Sequence, residues 1–201
     1  GSSANAHTIP MPQQMSDELM RVPGVVSVDK LRRVFMNYNG RRVLLSAASF
    51  DRFLEYDSSD TGQLVKNKNH FSPGKDNVVV SEPFAAMFKI KKGDTITLPT
   101  PSGPVEFSVT GIAVDYTSDS GVILMDINTY QRHWNDMLCN TFFLRVKPDA
   151  KVNQVREEIQ RNFGIERKLY VLSSWELKNE IRKILDDMFF FNYALNIITL
   201  A

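Results

Sequence analysis

The order of apolar and polar residues along the first part of the chain predicts a helix followed by a β-hairpin. Residues 13–22 resemble a short helix. Residues 25–38 are rich in β-branched and aromatic side chains, which is typical of a strand. Asn39-Gly40 is the strongest short signal for a hairpin turn, so residues 41–49 are expected to return as the partner strand.

The middle of the chain predicts a β-rich unit. Residues 51–77 are polar and form a long predicted connection. A buried strand, Val78–Val80, then leads to Ser81, which is a plausible N-cap for a short helix with Pro83 in its first turn. Alternating or continuous apolar residues predict three further strands, at residues 95–98, 105–110 and 122–126.

Two later helices are predicted by apolar residues that recur every three or four positions. The first contains Ile127, Tyr130, Trp134 and Met137. The second contains Val152, Val155, Ile159 and Phe163 and stops at Gly164. Residues 141–146 and 169–172 are predicted to be strands on either side of the second helix.

The end of the chain changes character at Met188. Residues 174–187 predict an amphipathic helix with four apolar residues on one face, Leu177, Ile181, Ile184 and Leu185. Residues 188–201 contain no charged residue, and their apolar side chains go all round the helix. A membrane crossing takes about 20 apolar residues. We interpret residues 188–201 as the start of a truncated transmembrane helix; an ordinary core helix is the alternative.

The compositions of the segments favour an α+β fold. The first and last thirds of the chain suit one α+β sheet layer, which a small β-rich insertion interrupts at residues 51–137. Residues 1–12 are interpreted as a tag remnant and a flexible lead-in.

Composition and charge exclude several classes of protein. Hydrophobic residues make up 43% and charged residues 23% of the chain, which argues against a disordered or fibrous protein. The 24 basic and 23 acidic residues leave a formal charge of +1, so the basic surface of a nucleic-acid-binding protein is not expected. The single cysteine rules out an internal disulfide framework and a multi-cysteine zinc site.

Residue types used in catalysis occur without the patterns that catalysis needs. His7, His70 and His133 are far apart, and no carboxylate lies at helical spacing from two of them, so surface histidines are expected rather than a metal site. Asp60-Thr61-Gly62 and Asp119-Ser120-Gly121 match the D-[ST]-G triplet of aspartic proteases. Polar residues precede both triplets where that site needs a buried apolar strand, so an aspartic-type hydrolase is a minor alternative.

No other catalytic pattern is visible. Cys139 has no adjacent histidine, so an inert, half-buried thiol is expected. Nucleotide-binding glycine loops and the nucleophile-elbow motif of hydrolases do not occur in the sequence. We therefore expect no catalytic, cofactor-binding or metal-binding residues.

Residues 78–134 resemble the extracytoplasmic domain of FtsX/MacB-type ABC transporter permeases. The shared pattern is a strand, a serine with a short helix, a Gly-Asp turn, paired strands and a V-x-G-I strand. In this chain its elements are Val78–Val80, Ser81–Phe88, Gly93-Asp94 and Val109–Ile112. The resemblance covers roughly residues 15–201 and is strongest to the second such domain of long permeases that carry two.

The resemblance implies a fold and a domain organisation. It implies a porter-like α/β subdomain, residues 13–50 plus 138–187, that carries an inserted small β-rich α/β subdomain, residues 51–137. Residues 188–201 then begin a transmembrane helix. Its membrane-proximal side chains are Met188, Phe189, Phe190, Phe191, Tyr193 and Leu195.

The resemblance also implies a function. A non-catalytic domain on the periplasmic side of the cell inner membrane would couple ATP-driven helix motion to a partner outside the membrane. The implied partners are the membrane, a cytoplasmic ABC ATPase and an unknown extracytoplasmic protein, lipoprotein or small molecule, with no cofactor. A free-standing periplasmic module that binds a ligand or protein is the alternative.

Overall fold

The computed structural model describes residues 9–49, 75–164, 169–173, 175, 176 and 179. The strands are β1 (Met11–Pro12), β2 (Val25–Tyr38), β3 (Arg41–Ala48), β4 (Asn77–Ser81), β5 (Thr95–Thr100), β6 (Gly103–Ala113), β7 (Val122–Asp126), β8 (Leu138–Cys139) and β9 (Thr141–Val146). The helices are α1 (Met15–Met20), α2 (Glu82–Phe88), α3 (Ile127–Trp134) and α4 (Val152–Ile159), and a π-helical turn, Gln160–Gly164, follows α4.

Seven of these strands form one mixed sheet in the order β5-β6-β4-β7-β3-β2-β9. The pairs β2–β3, β4–β7 and β5–β6 are antiparallel, whereas β3–β7 and β4–β6 are parallel. The short strands β1 and β8 form a separate antiparallel pair. A large mixed sheet with few helices agrees with the expected α+β class.

The hairpin between β2 and β3 forms where the sequence predicts it. Asn39 and Gly40 both have positive φ angles, 46° and 77°, as the favoured two-residue hairpin turn requires. Tyr38 pairs with Arg41, and the pairing continues to Leu31 and Ala48.

The main core lies on the sheet face that α2 and α3 cover. Phe84 of α2 and Ile127 and Tyr130 of α3 pack there against apolar side chains of the strands. The strand residues of this core include Val43, Leu45, Val78, Val80, Ile96, Leu98, Phe107, Val109, Ile123 and Met125. A second buried cluster comprises Leu31, Leu44, Ala48, Val79, Ala113, Val122 and Leu124.

The start of α2 confirms the predicted cap. The Ser81 hydroxyl oxygen accepts hydrogen bonds from the backbone N–H of Phe84 at 3.3 Å and of Val122 at 2.9 Å. Ser81 therefore joins the first turn of α2 to the beginning of β7, and Pro83 lies in that first turn.

The end of α3 differs from the prediction. Asn135 adopts the left-handed conformation, with φ 50°, and ends the helix at Trp134. Met137 therefore lies beyond the helix and is exposed, so its predicted place on the helix face was wrong. The amide side chain of asparagine tolerates this conformation, which explains why the helix ends there.

The described residues divide into two compact units. The large unit contains residues 9–20, 27–49 and 75–145, and the small unit contains residues 21–26 and the described residues from 146 onward. The expected division into a porter-like subdomain and an insertion at 51–137 stays a prediction.

The small unit is built around α4. Gly24 packs so closely on this unit that a Cβ placed there would lie 3.2 Å from Val155 and 3.3 Å from Ala150. The backbone N–H of Lys147 donates to the carbonyl of Gly24 at 2.9 Å. Residues 169–173 do not belong to a strand, so the strand predicted at 169–172 was wrong.

Candidate coupling and docking surfaces

The predicted membrane-proximal residues, Met188, Phe189, Phe190, Phe191, Tyr193 and Leu195, lie outside the described residues. The start of the predicted amphipathic helix before them is described, because Trp175 and Glu176 are helical. This helical start belongs to the small unit.

Ser173 and Glu176 form a capping box at this helical start. The Ser173 hydroxyl oxygen accepts from the Glu176 N–H at 3.2 Å, and the Glu176 carboxylate accepts from the Ser173 N–H at 2.9 Å. Two backbone donors that a helix terminus leaves open are thus satisfied reciprocally. The box fixes the direction in which the chain leaves Ser173.

Arg156 of α4 forms an ion pair with the same Glu176 carboxylate. The backbone and hydroxyl hydrogen bonds of Ser173, followed by the guanidinium of Arg156, hold the pKa of Glu176 below its ordinary value. Glu176 therefore connects the new helix to α4 within the small unit.

A cleft of about 250 Å³ lies beside this connection. It is lined by Arg156, Glu157, Gln160, Tyr170, Val171, Leu172 and Glu176. Tyr170 and Trp175 are the most exposed large hydrophobic side chains of the described residues, at 79% and 71%.

A network of polar side chains in the large unit is centred on Asp136. Asp136 accepts hydrogen bonds from Arg32 Nε at 2.8 Å, the Tyr130 hydroxyl at 2.7 Å and the Leu138 N–H at 3.0 Å. Burial opposes the charge of Asp136, but these hydrogen bonds outweigh it and hold the pKa of the carboxyl below its ordinary value. Burial and the bond to Asp136 raise the pKa of Tyr130.

The sequence did not reveal this network, because its members are far apart along the chain. Asn140 extends it by accepting from the backbone N–H of Arg33 at 2.7 Å and from the guanidinium of Arg32 at 3.1 Å. Because these donors and acceptors satisfy one another, the network holds β2 against the segment that follows α3.

Cys139 lies next to this network and is fully buried. Burial raises the pKa of its thiol to about 11, so the thiolate needed of a nucleophile is not available near neutral pH. The thiol is therefore more deeply buried than the half-buried thiol that the sequence analysis expects.

Of the three histidines, only His133 is among the described residues. Its Nε2 lies 2.7 Å from an Asp76 carboxylate oxygen, which also accepts from Arg132. Partial burial by itself would raise the pKa of Asp76. The hydrogen bonds from His133 and Arg132 outweigh this effect and hold the pKa below its ordinary value. Within the part of the chain that the structure describes, no three potential ligands are grouped to hold a metal ion.

The second D-[ST]-G triplet forms a turn before β7. Asp119 is exposed, and the backbone N–H of Gly121 donates to the Ser118 carbonyl at 3.0 Å. Asp60 of the first triplet lies outside the described residues. An exposed Asp119 lacks the dry setting that a shared-proton carboxylate pair needs.

An exposed apolar strip lies at the end of β6. Ile112, Val114 and Tyr116 are 42%, 45% and 67% exposed, whereas Ala113 and Asp115 between them are buried. A register shift opposite Val78 and Val79 places Ile112 beside Val80. The exposure depends on β5, which begins only opposite Ser108.

No helix among the described residues is long and apolar enough to cross a membrane.

Comparison with known proteins gives one consistent result. Residues 2–162 match the family model of the MacB-like periplasmic core domain. The chain is 33% identical over 129 residues to an uncharacterized ABC transporter permease protein of Mycobacterium tuberculosis. The aligned region covers 64% of the chain and 15% of that permease, so the chain spans only a small part of this relative.

Two solved structures share the fold. The periplasmic region of MacB from Actinobacillus actinomycetemcomitans has a TM-score of 0.58 at 12% identity, covering 90% of this chain and 88% of that one. The extracellular domain of the noncanonic ABC-type transporter YknZ from Gram-positive bacteria has a TM-score of 0.55 at 13% identity, covering 80% and 86%.

Proposed function

The chain belongs to the family of MacB-like periplasmic core domains, and from this premise we propose that it couples the motion of a membrane helix to a partner outside the membrane. In this proposal the domain is not an enzyme. A cytoplasmic ATPase hydrolyses ATP, and the transmembrane helix predicted to begin at Met188 carries the resulting motion outward. The domain lies on the periplasmic side of the cell inner membrane.

The connection at Glu176 is the observation that carries this proposal. The capping box fixes the first turn of the helix at Ser173, and the ion pair with Arg156 joins that turn to α4. A displacement of the helix therefore displaces α4 as well. The ion pair is half exposed, so its contribution to stability is small. Its role is to fix the direction of the helix relative to α4.

The sequence between this connection and Met188 supports the same proposal. Residues 174–187 contain neither glycine nor proline. Glycine- and serine-rich linkers behave as flexible chains and would absorb the displacement. A segment that continues one helix into the membrane would transmit it.

The absence of catalysis is supported by the surroundings of the reactive side chains. The thiol of Cys139 is buried and protonated, and Asp119 lies on an exposed turn. The carboxylate of Asp136 is occupied by three hydrogen-bond donors. The surroundings of each of these three groups are therefore explained without a catalytic role.

The proposal is tested by hydrogen exchange on the full-length permease with its ATPase in lipid nanodiscs. We compare the nucleotide-free state with the state arrested by ATP and vanadate. Exchange in α4 and in residues 169–176 is expected to change with nucleotide. Inserting Gly-Ser-Gly-Ser after Asp187 is expected to abolish that change while ATP hydrolysis continues.

A matched insertion after Ser102, in the exposed turn between β5 and β6, serves as the control and is expected to leave the nucleotide response intact. A nucleotide response of equal size in the Asp187 insertion would contradict coupling through this helix. No response in the unmodified permease would contradict it as well.

A further inference from the structure

The apolar strip begins at Ile112 in β6 and continues with Val114 and Tyr116 just beyond the end of that strand at Ala113. Among the described strands, this end of β6 has a neighbour on one side alone. β5 pairs with β6 only from Gly103 to Ser108, and the turn before β5 adds the hydrogen bond from Gly93 N–H to the Val109 carbonyl at 2.8 Å. From Gly111 to Ala113, β6 pairs with β4, and no other described strand pairs with these residues.

Such an edge can accept another strand. Successive residues of a strand direct their N–H and C=O groups to alternate sides, so part of the backbone of Gly111–Ala113 points away from β4. Edge strands with these groups available are templates for pairing with another chain. Alternate side chains then supply specificity, and here they are the apolar residues of the strip.

The two ends of the strip carry opposite charges. At the Val109 end, the loop between α2 and β5 presents Lys89, Lys91 and Lys92, all exposed, against the single carboxylate of Asp94. At the other end, the Tyr116 hydroxyl donates to the Glu82 carboxylate at 2.5 Å. The strip is therefore basic at one end, apolar in the middle and acidic at the other end.

We propose that this strip binds an extended segment of a partner protein as an added β-strand. The segment has alternating apolar side chains, acidic residues at the end that meets the three lysines and basic residues at the end that meets Glu82. The proposal deepens the proposed function by naming the kind of partner. Its test needs no membrane, so its failure leaves the coupling through Glu176 untouched.

The test uses a fluorescein-labelled synthetic peptide, Asp-Asp-Val-Thr-Val-Thr-Val-Lys-Lys, and the purified 201-residue chain. Fluorescence anisotropy is expected to show saturable binding with a dissociation constant below about 1 mM. N-methylation of alternate peptide nitrogens is expected to weaken binding about tenfold, because it removes main-chain donors. A peptide with lysine at both ends, which cannot match the three lysines in either strand direction, is expected to bind about tenfold more weakly as well.

Two variants of the chain locate the site. Val114→Lys is expected to weaken binding about tenfold, whereas Val152→Lys, at a position of nearly equal exposure (46% against 45%) on α4, leaves it unchanged. Circular dichroism and thermal unfolding establish that both variants are folded. If Val114→Lys does not fold, the double variant Lys91→Glu with Lys92→Glu replaces it. This variant is expected to bind the peptide with lysine at both ends more tightly than the original peptide.

The proposal is overturned by the absence of saturable binding to the unmodified chain. It is also overturned if Val114→Lys and Val152→Lys weaken binding equally. Equal binding of the N-methylated peptide excludes strand addition, and equal binding of the peptide with lysine at both ends excludes the charge pattern.

Discussion

Asp136 is the side chain on which the polar network of the large unit depends. It accepts from Arg32 of β2, from Tyr130 of α3 and from the first backbone N–H of β8, and its side chain is only 19% exposed. Removing its charge leaves buried donors without a full acceptor, which costs about 1–3 kcal/mol in proteins.

We predict that Asp136→Asn lowers the free energy of unfolding by about 1–3 kcal/mol near neutral pH. The pKa of Asp136 is lowered in the folded protein, so its stabilisation is present above the unfolded pKa of about 3.9 and is lost as pH falls through the folded pKa. Urea unfolding should therefore show the difference between wild type and variant shrinking below about pH 4.

Asp119→Asn is the control for this experiment, because Asp119 is exposed on a turn. It should stay within about 0.5 kcal/mol of wild type. A constant difference between wild type and Asp136→Asn down to about pH 2 would contradict the assignment of the stabilisation to the carboxylate.

At the scale of elements, Ser81 and Gly121 join α2 to β7. The Ser81 hydroxyl accepts from both elements, and Gly121 has φ 88° and lies against the first turn of α2. A Cβ at Gly121 would lie 2.6 Å from Cβ and 2.8 Å from the backbone nitrogen of Phe84. The glycine of this D-[ST]-G triplet is thus explained by packing.

Replacement of Gly121 by alanine should cost far more stability than the same change at Gly40. Both residues have positive φ, but a Cβ at Gly40 meets nothing within 4 Å. Chemical denaturation is expected to give losses of about 3 kcal/mol for Gly121→Ala and about 1 kcal/mol for Gly40→Ala. Equal losses would show that backbone conformation alone requires the glycine at 121.

The elements that the sequence predicts well are those set by local chemistry. The Asn39-Gly40 hairpin and the Ser81 cap of α2 each depend on residues within a few positions of one another. The strand at 169–172 and the place of Met137 were wrong, because a short apolar run does not distinguish a strand from irregular backbone and Asn135 ends α3 early.

At the scale of the whole molecule, the sequence pattern does not predict the order of the strands in the sheet. Parallel pairing of β3 with β7 brings together residues such as Leu44 and Val122 that are far apart in the chain. The exposed strip at Ile112 follows from that order, since β5 begins only opposite Ser108 whereas β6 continues to Ala113. The network at Asp136 depends likewise on long-range pairing.

The family was nevertheless identifiable from the sequence. The strand, serine-capped helix and Gly-Asp turn at Val78–Asp94 resemble FtsX/MacB-type permeases, and the family match over residues 2–162 confirms that resemblance. These motifs are structural, which is why they identify the fold and leave the extracytoplasmic partner to experiment.

The side of the membrane on which the domain lies tests the account most directly. Asp119→Cys is introduced into the full-length permease with all other cysteines replaced except Cys139, which is buried with a pKa of about 11 and should stay unreactive. In cells with an intact cytoplasmic membrane, a membrane-impermeant maleimide should label the new cysteine as fast as it does after permeabilisation. Labelling only after permeabilisation would place the domain in the cytoplasm and contradict the account.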